Sequence, residues 1–142
     1  MFNKFIYARL ACLCFFSLVY SGTLFAELIN IDSTELKNLL SEKTLIIDVR
    51  RVEEWSDTGV IKNSKLLTFF DSQGNYNAEK WHAGISKLSD TTTPVILICR
   101  SGARSKTVAN WMVNSLGYQK VYNVKDGMIG WKGSDGKTVA PE

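Results

Sequence analysis

The chain has 142 residues, of which 45% are hydrophobic and 22% are charged, and its formal net charge is +3 at pH 7. This length is enough for one domain with a hydrophobic core and excludes a second domain of ordinary size. The small excess of positive charge does not indicate a nucleic-acid partner, because the lysine and arginine residues are not clustered on one predicted helix or loop.

The first 26 residues have the features of a secretory signal peptide. Lys4 and Arg9 form a basic start, a largely apolar stretch covers residues 10–20, and Ala26 precedes the predicted cleavage site. Because this stretch is shorter than the ~20 residues that span a bilayer, a signal peptide is favoured over an uncleaved membrane anchor. We expect residues 27–142 to form an exported, periplasmic domain without stable membrane association, or a membrane-anchored one if the segment is retained.

The rest of the chain alternates between strand-like and helix-like hydrophobic patterns. In chain order, we predict a strand at 28–31, a helix from Asp32 or Ser33 to about 43, a strand at 44–49, a helical turn at 52–56, a strand at 65–69, a helix at 77–88, a strand at 94–98, a helix from about 104 to 116 and a strand at 121–124. The strand at 44–49 is a continuous apolar run, which is typical of a strand buried on both faces. The order therefore predicts an α/β fold with a central, mostly parallel sheet.

Cysteine and histidine are scarce in this chain. Cys12 and Cys14 lie in the predicted signal peptide, so Cys99 is the only thiol of the predicted mature domain and cannot form an intramolecular disulfide. An unpaired thiol in an exported protein is either buried and inert or retained for its reactivity. With His82 as the only histidine, the sequence offers too few ligands for a metal site, and we expect His82 to be a helix residue rather than a base for Cys99.

Cys99 stands where a predicted strand meets a glycine-containing loop and the next helix. Such a loop directs backbone N–H groups and the positive end of the helix dipole toward one point. These groups favour the thiolate, which is the nucleophilic form of cysteine, and two arginines add positive charge. We predict sulfur or anion chemistry at Cys99. The candidate substrate-binding residues follow it directly: Arg100, Ser101, Gly102, Ala103, Arg104 and Ser105.

Three blocks of the sequence resemble those of the rhodanese family in order and spacing. They are Asp48-Val49-Arg50 with Glu54-Trp55 and Gly59, the loop Cys99 to Ser105, and Asp126-Gly127 with Trp131. The resemblance covers nearly all of residues 27–142 and implies a rhodanese-like fold, with helices on both faces of the sheet. Two stretches depart from the family pattern. After Gly59, many relatives have His-Ile and then Gly-Ala, whereas this chain has Val60-Ile61-Lys62-Asn63-Ser64, and Asp126 replaces one glycine of a pair. We expect these departures to affect packing and a turn.

The resemblance implies a sulfurtransferase that needs no cofactor. In this reaction the Cys99 thiolate attacks the outer sulfur of an anionic donor such as thiosulfate and becomes a persulfide. The sulfur then passes to a thiophilic acceptor such as cyanide, a thiol or a protein. Gly102 would allow the close approach of the backbone, and Arg104 would counter the charge of the donor or of the leaving sulfite.

Asp48 and Arg50 are predicted to support the loop, paired with Glu53 or Glu54, rather than to take part in the chemistry. Other functions stay open, namely a protein-specific sulfur carrier and a binding module without catalysis. A phosphatase or arsenate reductase is disfavoured, because cysteine phosphatases have a longer loop between cysteine and arginine, which surrounds a tetrahedral phosphate.

Overall fold

The computed structural model describes residues 26–142, so the predicted signal peptide lies outside the described residues except for Ala26. The described part alternates strands and helices along its length. The elements are β1 (Glu27–Ile31), α1 (Ser33–Ser41), β2 (Leu45–Asp48), α2 (Val52–Thr58), β3 (Lys65–Leu66), α3 (Ala78–Ile85), β4 (Val95–Ile98), α4 (Ala103–Leu116), β5 (Lys120–Val124) and α5 (Gly127–Gly133). The predicted α/β class is confirmed.

The five strands form one sheet in the order β1-β5-β4-β2-β3, and every neighbouring pair is parallel. β4 is the central strand, and its last residue Ile98 pairs with Asp48, the last residue of β2. The carboxyl ends of β2 and β4 therefore lie at the same edge of the sheet. This edge is where the crevice of an open α/β sheet binds ligands.

Helices cover both faces of the sheet, as expected. On one face, side chains such as Ile47 and Leu97 pack against α3 and α4. On the other face, their neighbours Ile46 and Ile96 pack against α1 and α5. β4 is completely buried, and this two-sided burial explains why the central strands are continuous apolar runs rather than alternating patterns. No helix among residues 26–142 has the length and apolar character needed to cross a bilayer.

Element ends differ from prediction in places. β3 is an edge strand with one neighbour, and it ends at Leu66 instead of residue 69. Beyond it, single backbone bonds from Leu67 N–H to the Asp48 carbonyl and from Phe69 N–H to the Val49 carbonyl keep the chain beside the end of β2. α3 ends at Ile85, and residues 86–88 form a turn instead of a last helical turn. The segment that begins at Asp126-Gly127, for which the sequence predicts only a final turn, forms the helix α5. α1 begins where the sequence predicts, and its N-cap Asp32 forms a capping box with Glu35, as the spacing of the two residues indicates.

Candidate active site

Cys99 follows β4 directly and lies at the centre of the carboxyl edge of the sheet. Its side chain is completely buried in the core on the α3 and α4 side. The next residues, Arg100 and Ser101, are exposed, and α4 begins at Ala103. A short loop thus carries the chain from a buried sulfur to the surface and back into a helix. This is the strand, loop and helix arrangement predicted from the sequence.

Two glycines allow the loop and the start of α5 to touch. Gly102 has a φ of +89°, and a Cβ atom there would overlap the carbonyl oxygen of Lys125. Gly127 has a φ of +54°, and its Cβ would lie 2.5 Å from the Cys99 carbonyl oxygen. The N–H groups of Met128 and Ile129 donate to the carbonyl groups of Cys99 and Arg100, at 2.9 and 3.0 Å. The start of α5 therefore fixes the loop backbone.

The Cys99 sulfur is contacted by two hydrogen-bonding groups. The backbone N–H of Gly102 donates to Sγ at 3.2 Å, and the hydroxyl of Ser105, on the first turn of α4, lies 3.2 Å from Sγ. Both groups can donate a hydrogen bond to a thiolate. The same hydroxyl is 2.7 Å from Oδ1 of Asn123 on β5, and Asn123 is buried. This arrangement suits a sulfur that carries negative charge during a reaction.

Arg104 is bound by Glu54 of α2. Its two terminal nitrogens donate to the two carboxylate oxygens at 2.8 and 2.6 Å. These bonds lower the pKa of Glu54 from 4.5 to about 2, with a further contribution from the Arg51 backbone N–H. They also raise the pKa of Arg104 above its usual value. The guanidinium of Arg104 is thus neutralised by a carboxylate, and its predicted contact with an anionic substrate stays a prediction.

Asp48 and Arg50 form a buried ion pair, with Nη2 of Arg50 at 2.7 Å from Oδ2 of Asp48. Arg50 also donates to the Thr58 hydroxyl and to the carbonyl groups of Glu54 and Gly59. The expected pairing of Arg50 with the carboxylate of Glu53 or Glu54 is wrong, since Glu53 approaches Arg51 and Glu54 binds Arg104. All the donor nitrogens of Arg50 are occupied, so Arg50 fastens α2 to the end of β2 and supports the loop through α2.

The site residues that sequence reasoning missed are Glu54 as the partner of Arg104, and Asn123. The signal for Asn123 was a polar residue at an inward position of β5, whose other buried residues, Val121 and Val124, are apolar. His82 is exposed on α3, as expected for a helix surface residue. Of the candidate substrate-binding residues, the structure brings Gly102 and Ser105 into hydrogen-bond distance of the Cys99 sulfur.

A cleft of about 620 Å³ lies beside the loop, between α2 and α5. Its basic residues are Arg50, Arg51, Arg100 and Lys132, and its apolar wall includes Met128 and Ile129. Glu53, Glu54 and Asp57 line the α2 side. Ile129 is 58% exposed although it is a large apolar residue. The approach to the loop therefore combines side chains of both charges with an exposed apolar surface, and Arg100 is the basic residue that belongs to the loop itself.

Comparison with known proteins identifies the family. The model of the rhodanese-like domain matches residues 32–134, which include the loop and every site contact described above. The chain belongs to the rhodanese-like domain family. The resemblance stated from three sequence blocks is thereby confirmed.

Relatives of this rhodanese-like domain include proteins with and without an assigned activity. It is 35% identical over 105 residues to the uncharacterized protein RP600 of Rickettsia prowazekii, covering 71% of this chain and 84% of that protein. It is 27% identical over 117 residues to thiosulfate sulfurtransferase 18 of Arabidopsis thaliana, covering 80% of this chain and 85% of that protein. The crystal structure of a rhodanese-like domain protein from Staphylococcus aureus superposes with a TM-score of 0.56 at 28% identity, covering 72% of this chain and 90% of that chain.

Proposed function

We propose that this rhodanese-like domain is a sulfurtransferase that carries sulfur as a persulfide on Cys99. The observation that carries the proposal is the pair of hydrogen-bonding groups, Gly102 N–H and the Ser105 hydroxyl, at 3.2 Å from the Cys99 sulfur. Donors at this distance stabilise a thiolate, which is both the attacking and the leaving form of the sulfur. The relationship to a thiosulfate sulfurtransferase of Arabidopsis thaliana supports the same chemistry.

The reaction has two displacements. In the first, the thiolate of Cys99 attacks the outer sulfur of a donor such as thiosulfate, and an S–S bond forms between Sγ and that sulfur. The S–S bond within thiosulfate breaks at the same time, and sulfite leaves with its electron pair. In the second, a nucleophilic acceptor such as cyanide or a thiol attacks the outer sulfur of the persulfide, and the electron pair returns to Sγ. No electrons are gained or lost overall, so the reaction requires no cofactor.

Arg100 is the side chain best suited to meet an anionic donor first. It is exposed, it lines the cleft beside the loop, and no carboxylate of the described residues lies within 4.0 Å of it. Arg104, in contrast, is held by Glu54. We therefore assign the attraction of the donor to Arg100, with Arg104 as a second contact when an anion competes with Glu54.

Thiocyanate formation from thiosulfate and cyanide tests this proposal. We expect turnover by the wild-type protein and none by Cys99→Ser, because an alcohol is a far weaker nucleophile than a thiolate at neutral pH. Ser86→Ala, an exposed change at the end of α3, serves as the matched control and should retain full activity. Equal turnover by wild type and Cys99→Ser would refute the assignment of the nucleophile.

A second candidate is a sulfur carrier that delivers to one protein. It is favoured by Val52 and Ile129, which are 61% and 58% exposed on the two helices that border the cleft. Single-turnover kinetics separate the two functions. An enzyme for small acceptors transfers the outer sulfur of its persulfide rapidly to cyanide or to a small thiol. A protein-specific carrier also forms the persulfide, but it transfers this sulfur only slowly to either small acceptor.

We also propose that the protein is exported to the periplasm. The basic start and the apolar stretch within the first 26 residues support export. The mass of the protein recovered from cells tests it, since cleavage after Ala26 leaves a chain of residues 27–142 without the apolar stretch. Full-length protein in the membrane fraction would favour the anchored form instead.

A further inference from the structure

A chain of hydrogen bonds leads from the Cys99 sulfur to the protein surface. Sγ lies 3.2 Å from the Ser105 hydroxyl, this hydroxyl lies 2.7 Å from Oδ1 of Asn123, and Nδ2 of Asn123 donates to Oδ1 of Asn30 at 2.9 Å. Ser105 and Asn123 are 0% and 1% exposed, whereas Asn30 is an exposed residue of β1. The parallel register of β1 and β5 places Asn30 directly beside Asn123.

The buried members of this chain need an explanation. An amide or hydroxyl in an apolar core is unfavourable unless it is hydrogen-bonded, and a leucine at position 123 would continue the apolar packing of β5. In the described part of the chain, the buried polar side chains are few. They are Ser33, Asp48, Arg50, Ser105 and Asn123. Asp48 and Arg50 pair with each other, and Ser33 is the first residue of α1, which leaves Ser105 and Asn123 as a separate polar pair directed at the sulfur.

The hydrogen bonds of this chain can run in either direction. A hydroxyl has one proton, so Ser105 can donate to only one of its acceptors at a time. In the outward direction, Ser105 donates to Asn123 and Asn123 donates to Asn30. After half-turns of both amides, Asn30 donates to Asn123, Asn123 donates to Ser105, and Ser105 donates to Sγ. Each link between the three side chains is satisfied in both directions, because an amide has a donor and an acceptor at similar positions.

We propose that Asn123 is a positioning residue that acts through Ser105 and reverses this chain according to the charge on the Cys99 sulfur. When Sγ is a neutral thiol or the inner sulfur of a persulfide, the chain runs outward. When Sγ is a thiolate, the chain runs inward, and Ser105 donates a charge-assisted hydrogen bond to it. Asn123 then donates to the Ser105 oxygen, which polarises the hydroxyl and strengthens its bond to the sulfur.

This role rests on the proposed function for its place in the reaction. When an acceptor takes the outer sulfur, the bond from Sγ to that sulfur breaks and the electron pair stays on Sγ. Negative charge therefore develops on Sγ in the second displacement, at the atom that Ser105 faces. A hydrogen bond that forms only as this charge develops stabilises the transition state more than the persulfide. Asn123 is thus placed to accelerate sulfur release.

Alkylation of Cys99 by iodoacetamide tests the chain without any sulfur donor. The rate is measured as a function of pH from the mass of the peptide that contains Cys99, so Cys12 and Cys14 do not interfere. All the neutral variants keep the charged side chains around the sulfur. These are Arg100, Arg104 with Glu54, Asp48 with Arg50, Lys125 and Asp126.

We expect Ser105→Ala and Asn123→Leu each to move the midpoint of this pH dependence upward by about one pH unit. In the Ser105→Ala background, Asn123→Leu should cause no further shift, because Asn123 acts through the hydroxyl. Ser105→Thr keeps a hydroxyl and should restore the midpoint of the wild type. These results together would support the reversible chain.

Two results would overturn it. A lower midpoint in Asn123→Leu would mean that Asn123 only competes with the sulfur for the Ser105 proton. If Asn123→Leu shifts the midpoint equally in the wild type and in the Ser105→Ala background, then Asn123 affects the sulfur by packing and not through the hydroxyl. If Asn123→Leu does not fold, Asn123→Asp replaces it, since an ionised carboxylate only accepts and so keeps the Ser105 hydroxyl donating away from the sulfur. Its upward shift should then be larger when the Ser105 hydroxyl is present than in the Ser105→Ala background, and an equal shift would again overturn the proposal.

The alkylation result does not depend on sulfur transfer. If the protein forms no persulfide with thiosulfate, the proposed function fails while the midpoints still report on the chain. If the persulfide forms but the midpoints are the same in all variants, the chain is refuted and the proposed function stands.

Discussion

Glu54→Gln removes the charge that neutralises Arg104 while it keeps the size of the side chain. The carboxylate accepts two hydrogen bonds from Arg104, at 2.6 and 2.8 Å, and the side chains of Glu54 and Arg104 are 16% and 27% exposed. Lowering the pKa of Glu54 from 4.5 to about 2 corresponds to ~3 kcal/mol of interaction with its surroundings. Solvent screening of this partly exposed pair reduces the expected contribution to about 1–2 kcal/mol.

The loss should appear in the free energy of unfolding measured by urea denaturation at pH 7. Glu53→Gln is the matched control, because Glu53 is the preceding residue of α2, is 78% exposed and approaches Arg51 only at 3.8 Å. We expect Glu54→Gln to lose about 1–2 kcal/mol and Glu53→Gln to lose less than about 0.5 kcal/mol. Equal losses in the two variants would refute the assignment of this stability to the pair with Arg104.

The pH dependence has a definite sign. A carboxyl whose pKa is lower in the folded state contributes its full stability above its unfolded pKa, here 4.5, and loses it as the pH falls toward the folded value of about 2. The difference in unfolding free energy between wild type and Glu54→Gln should therefore be constant from pH 7 to about 5 and shrink between pH 4.5 and 2. A difference that grows in acid would contradict this reasoning.

Three more substitutions follow from contacts of the site. Gly102→Ala should lower the melting temperature more than Gly74→Ala, because both have a positive φ but only the former Cβ would overlap a backbone carbonyl, whereas Gly74 faces open space; similar losses would mean that the close approach is unimportant. Arg50→Leu should destabilise by about 3–5 kcal/mol in urea denaturation, because it leaves Asp48 buried without its partner, and Asp48→Asn in the same chain should recover part of this loss. Arg100→Ala should raise the KM for thiosulfate several-fold without changing the melting temperature, since its side chain is exposed; an unchanged KM would exclude it from donor binding.

The fold could be predicted from the sequence because its strongest signals are local. The apolar runs that form β2 and β4 and the capping box at Asp32 each depend on neighbouring residues. The bounds of β3 could not be predicted, because an edge strand with one neighbour ends where its pairing ends and not where its apolar residues end. That every neighbouring pair of strands is parallel could not be predicted, because it depends on the order of the strands in the sheet, which local sequence patterns do not contain.

The site was predictable where the residues are consecutive and not where distant elements meet. Cys99 and the loop after it are adjacent in sequence, so their arrangement follows from one strand, one turn and one helix. The partner of Arg104 depends on how Arg50 fastens α2 to the sheet, which directs Glu54 toward α4. Asn123 approaches Ser105 only because β5 lies next to β4 in the sheet, beneath α4.

Formation of a persulfide on Cys99 is the central claim, and the intact mass of the protein tests it most directly. The protein is weighed before and after reaction with thiosulfate, and again after addition of cyanide, with Cys99→Ser treated in parallel. We expect the wild type alone to gain the mass of one sulfur atom and to lose it to cyanide as thiocyanate is released. A wild-type protein that gains no sulfur, or a gain that persists in Cys99→Ser, would contradict sulfur transfer through this residue.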